Sequence, residues 1–236
     1  MRTVASLFGL VAMLWRLGTD WMTGLLAAAC CAALGGCAPE EARLSDGFLR
    51  LYAQPHPTPA DFFVCHGYGC AQTSRIGLRR EEWRSVLAAF APPAADAGEE
   101  RRNVARAVAL FEALVGARIG TSAHQRLSEH QTAVNVDADP TQLDCIDDAV
   151  NTWTYLTMFD GAGLLRHHRV GPLAYAGTIV TLDMRNTAVL VAKADGERFA
   201  VDASLVDARV PPPIVPLARW AREWPNIPAP AAQSHE

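Results

Sequence analysis

Asp144-Cys145-Ile146-Asp147-Asp148-Ala149-Val150-Asn151-Thr152 is the stretch on which the fold turns. Asp144 is a favoured helix N-cap, and two acids follow it in the first turn, where the positive end of a helix welcomes them. Apolar residues continue at helical spacing, so the stretch predicts a helix from Cys145 to Phe159, closed by Gly161 and Gly163. It also puts a cysteine on the first helical residue. There the free N–H groups favour a thiolate nucleophile. The same position suits an inert packing cysteine, and the stretch alone leaves both readings open.

Upstream, Glu99–Val115 predicts a second helix, with Val104, Ala107, Val108, Phe111, Leu114 and Val115 on one stripe and Gly116 and Gly120 at its end. Arg79–Phe90 predicts another, with Trp83, Val86, Leu87 and Phe90 at helical spacing and Pro92-Pro93 as the stop. Asp61–Val64 reads as a strand or the start of the fold, and Ser122–Pro140 as a polar loop. Downstream the pattern changes. Ala188–Ala192 and Arg198–Val201 are strand-like and joined across Asp195-Gly196, and Thr178–Leu182 reads as a further strand. Helices followed by an antiparallel sheet predict an α+β domain, with Trp83, Trp153, Tyr155 and Trp220 in its core.

The 236 residues suffice for one domain with a sizeable core, and a formal charge of −4 excludes the basic surface of a nucleic-acid binder. The first 36 residues read as a signal peptide: basic Arg2 and Arg16 precede a charge-free stretch from Thr23 to Gly36. Leu34-Gly35-Gly36-Cys37 resembles a bacterial lipobox, which makes Cys37 the site of lipid attachment and the membrane a partner. Met13 is an alternative start. Residues 37–60, with Pro39, Pro55, Pro57 and Pro59, read as a tether, 61–225 as the domain and 226–236 as a loose tail. The expected location is the cell envelope, on the periplasmic face of the outer membrane where the host has two membranes.

Removing the signal leaves Cys65, Cys70 and Cys145. In an oxidising compartment Cys65 and Cys70 lie close enough to bridge across Gly67-Tyr68-Gly69, with Cys145 as the odd thiol. Two thiols and His66 also make a possible zinc or copper donor set, although the spacing is not that of a standard finger. No phosphate-binding loop or dinucleotide fingerprint is present, and no cofactor is implied.

The Asp144–Thr152 segment, with Tyr155-Leu156, resembles a family of uncharacterised bacterial transglutaminase-like proteins. Val64-Cys65-His66-Gly67-Tyr68-Gly69-Cys70, Thr187-Ala188-Val189, Ala200-Val201-Asp202, Ile214-Val215-Pro216-Leu217 and Trp220 carry the likeness over residues 61 to 220. The resemblance implies a papain-like core in which Cys145 is the nucleophile and Asp202 orients a histidine on the preceding strand. At that histidine position this chain has Arg185, which keeps its proton and cannot act as a base near neutral pH. Ala203-Ser204-Leu205 also departs from the Ser-Trp-Phe that the family resembles. Together these departures imply a degenerate Cys-His-Asp centre that binds a peptide or envelope component. An active thiol peptidase or acyltransferase would need a substitute base, for which His66, His167 and His168 are the candidates. A metal-binding module at Cys65, His66 and Cys70 is the third reading.

Overall fold

The computed structural model describes residues 42–125, 141–177 and 184–228. The signal peptide, Cys37, the strand expected at Thr178–Leu182 and most of the Ser122–Pro140 loop lie outside the described residues.

The expected helix begins at Cys145 and runs to Gly161 (α4), capped by Asp144. Before it come the short α1 (Gly47–Tyr52), α2 (Arg80–Ala88) and the long α3 (Ala97–Ile119). In α3 the Asp96 carboxylate accepts the Glu99 amide at 2.7 Å, and Gly120, at φ 87°, closes the helix. Gly116 does not end α3 as expected. A side chain there would press on the Thr121–Ser122 backbone at 3.1–3.2 Å, so the glycine serves the close return of the chain.

The strands are β1 (Arg43–Ser45), β2 (Phe62–His66), β3 (Gln72–Ile76), β4 (His168–Val170), β5 (Leu173–Ala176), β6 (Arg185–Ala192), β7 (Arg198–Val201) and β8 (Ile214–Pro216). β2 and β3 form a separate antiparallel hairpin. The others form an antiparallel six-stranded sheet around β6. β7 pairs with one edge of β6, and β8 lies beyond it. β5 and β4 share the other edge end to end, with β1 beyond β5. Gly171 makes the break between β4 and β5 possible: a Cβ there would meet Val191 and Val189 at 3.0 and 3.2 Å.

All eight residues of β6 are buried, because the sheet is covered on both faces. On one face Ala188, Leu190 and Ala192 join the core of α4, α3 and the β2–β3 hairpin. Its centre is Phe111, stacked on Tyr155 at 4.5 Å and edge-on to Phe62 and Trp83 at 5.8 and 6.2 Å. On the other face Val189 and Val191 pack against Trp220 of α5 (Leu217–Glu223) and against Ile227.

The arrangement is α+β, helices followed by a mainly antiparallel sheet. Two boundaries differ from the sequence expectation. Within the stretch read as a tether, Arg43–Ser45 pairs with β5 and Gly47–Tyr52 is helical. Ile227, expected in the loose tail, is 1 % exposed. Among the described residues no helix is long and apolar enough to cross a membrane.

Candidate functional site

The Asp144 carboxylate accepts the amides of Ile146 and Asp147 at 3.0 and 2.9 Å, which fixes the first turn of α4 and sets Cys145 against the start of β6. The thiol is buried, at 8 % exposure. It faces the Met184 carbonyl at 3.9 Å and receives the Asn186 side-chain amide at 3.6 Å. Burial, followed by the neighbouring charge of Asp144, pushes the thiol up to about 12, and the Asn186 bonds offset only part of this. The favourable field of the helix end is thus outweighed.

Arg185 does not stand over the cysteine. Side chains alternate along β6, so Asn186 faces α4 and Arg185 faces α5. Its Nη2 donates to the Ala221 carbonyl at 2.6 Å, and the guanidinium lies 5.7 Å from the Trp220 ring and 5.4 Å from the Trp224 ring. Asp202 lies on the Arg185 face, one residue beyond β7. Its oxygens accept the Ser204 amide and hydroxyl at 3.1 and 2.5 Å and Trp220 Nε1 at 2.6 Å. Burial raises its pKa to about 6 against the pull of those bonds. No hydrogen bond or ion pair among the described residues joins Cys145, Arg185 and Asp202 to one another.

The candidate substitute bases are engaged elsewhere. His66 Nε2 meets Ser74 Oγ at 2.9 Å across the hairpin. His167 Nε2 donates to the Ala94 carbonyl at 3.4 Å. His168 is fully buried against Glu100 at 2.9 Å.

The conspicuous acids of α4 hold the disulfide loop. Cys65 and Cys70 are bridged. Gly67, Tyr68, Gly69 and Cys70 all take positive φ, between 58° and 83°. For Tyr68 and Cys70 that costs about 1–2 kcal/mol each. This turn aims its amides at α4: Tyr68 and Cys70 donate to Asp147 at 2.9 and 2.7 Å, and Gly69 donates to Asp144 at 2.8 Å. Asn151 completes the grip, accepting the Cys65 amide at 2.6 Å and donating to its carbonyl at 2.9 Å. Burial and the adjacent Asp144 charge raise Asp147 to about 7 in spite of these bonds. The two sulfurs and an Asp147 oxygen lie within 4.8 Å of one another, but with both sulfurs spent in the bridge the set offers no thiolate to a metal.

A second buried cluster escaped the sequence reading. Glu112 of α3, His124, and Asp148 and Tyr155 of α4 meet beside a cavity of about 10 Å³, room for a single water. His124 Nδ1 accepts the Leu143 amide at 3.2 Å, which leaves the proton on Nε2, 3.4 Å from Asp148 Oδ2. That tautomer has no lone pair for a metal. Burial and the Asp148 charge raise Glu112 to about 8. His124 sits at the edge of a polar loop and Asp148 among helix-start acids, so neither carried a sequence signal of burial.

The chain matches no protein-family model, no curated protein and no solved structure.

Proposed function

We propose that this chain is an envelope-anchored, transglutaminase-like domain whose Cys145 centre has lost acyl-transfer chemistry and which acts by binding a peptide or envelope component. The observation that carries this reading is the setting of the thiol. Among the described residues its hydrogen-bond neighbours are an amide and a carbonyl, and neither can accept its proton. With a pKa of about 12, the thiolate fraction at neutral pH is on the order of 10⁻⁵. A nucleophile with neither a base nor an ionised form does not open amide bonds at a useful rate.

The family part of the reading draws support from a cysteine-opened helix packed on an antiparallel sheet. Export draws support from the Cys65–Cys70 bridge, since such bonds persist in oxidising compartments. The test is alkylation of Cys145 by iodoacetamide at pH values from about 6 to about 10, followed on the Cys145 peptide by mass spectrometry. The expected result is negligible labelling of the folded protein with no inflection below about pH 9. An inflection below about pH 8 would overturn the reading and restore the thiol-enzyme alternative.

A further inference from the structure

We propose that the cavity between the start of α3, residues 166–167 and the β6–β7 turn binds a small ligand through an oxyanion, carboxylate or phosphate, seated on the Arg101 guanidinium. This site lies apart from Cys145, and the inference does not depend on the thiol reading. The cavity measures about 500 Å³, within the range of small-molecule sites. Its charged lining is Arg101, Arg166 and Lys193 against Asp195 and Glu197, with His167 beside them.

One buried carboxylate builds this lining. Glu100, 1 % exposed, accepts the amides of Arg166, His167 and His168 at 2.6–3.1 Å, and so fixes the segment that carries Arg166 and His167. It also takes His168 Nδ1 at 2.9 Å. The other ring nitrogen faces Arg101 Nη1 at 3.2 Å. Arginine only donates, so His168 Nε2 must be the acceptor and Nδ1 the protonated nitrogen. Burial works to raise Glu100, but the bonds from His168 and the two preceding amides outweigh it and keep the group ionised.

The guanidinium held by this relay sits over the Phe199 ring, its central carbon 4.1 Å from the ring centre, and Phe199 is itself buried and lines the cavity. One nitrogen is held by His168 and the central carbon rests over the ring, and its remaining N–H groups have no hydrogen-bond partner among the described residues. Arg101, Arg166 and Lys193 make no ion pair among the described residues either. Asp195 is turned to its own loop, where it accepts the Glu197 amide at 2.9 Å. A planar donor fork held over an aromatic ring, with Arg166 at the rim beside a Lys193 ammonium that also donates to the Leu165 carbonyl at 2.8 Å, is the chemistry that selects an oxyanion.

The probes are inorganic phosphate and succinate, titrated into the full-length protein by calorimetry at constant ionic strength, up to about 20 mM. Saturable millimolar binding of at least one probe is expected. Phosphate alone would identify a phosphoryl ligand, succinate alone a carboxylate, and both would support the shared chemistry. Affinity should fall at least tenfold in Arg101→Gln and stay unchanged in Arg169→Gln, an exposed arginine outside the lining. Should Arg101→Gln misfold, the exposed Lys193→Gln serves in its place, with a severalfold loss expected. No saturable binding of either probe, or equal affinity in wild type and the cavity variants, would overturn the proposal.

Discussion

Asn151 shows how much one polar side chain can hold. It satisfies both backbone groups of Cys65, and neither residue is exposed to water. Asn151→Ala strands a buried donor and a buried acceptor, and is expected to cost about 2–4 kcal/mol in urea unfolding. A loss below about 1 kcal/mol would mean that water replaces the amide. At this scale the sequence was legible in identity but not in direction. The expected strand began at Ala188, three residues after Arg185, and in the longer β6 a period of two sends Arg185 to α5 and turns Asn186 toward the thiol. Composition cannot reveal that register. His168 was a candidate substitute base, whereas its strand carries it inward to Glu100.

Among the elements, α4 and the β6–β7 pair were the most legible, because a strong cap and a clear Asp-Gly turn mark their ends. β1 was hidden among prolines. Its three residues gain their strand character from pairing with β5, a tertiary contact that no local pattern announces. The disulfide loop was foreseen, but not its docking on α4. Because Asp144, Asp147 and Asn151 hold the loop independently of the bridge, the double change Cys65→Ser and Cys70→Ser is expected to leave a folded protein. The expected loss is about 2 kcal/mol, the value for closing so short a loop. Chemical unfolding with circular dichroism checks this. A double variant without native helix content would show that the carboxylate grip cannot stand alone.

Across the whole molecule, buried acids set how stability responds to pH. Glu112 is raised to about 8, Asp147 to about 7 and Asp202 to about 6, each chiefly by burial. His124 is raised too: burial opposes this, but the charge and hydrogen bond of Asp148 together with the charges of Glu112 and Asp207 outweigh it. A group raised in the folded state contributes stability that is complete below its unfolded pKa and lost as pH climbs through the folded one. Each therefore weakens the fold as pH rises above its unfolded value, Asp202 up to about pH 6, Asp147 up to about 7 and Glu112 up to about 8, while His124 does so only above 6.5. Glu82, held at about 2 against burial by Arg79 and Arg118, acts in the opposite sense, but its contribution is already complete above its unfolded value of 4.5. The thermal midpoint should thus be highest below about pH 5 and decline from there toward about pH 8, with a shallower decline in Glu112→Gln. A midpoint that rises across this range would refute the assignment of these groups as raised.

The grip of α4 on the disulfide loop also imposes an order in time. The bonds from Asp144, Asp147 and Asn151 reach back across 75 to 86 residues. As the chain emerges from its N-terminal end, the amides at 65 to 70 have nothing to hold them until a helix made much later has formed. A turn that looks local in sequence is therefore a latecomer to the fold. In the finished protein, fraying of the first turn of α4 frees residues 68–70 from Asp144 and Asp147 in the same event, while Asn151 in the next turn keeps its hold on Cys65.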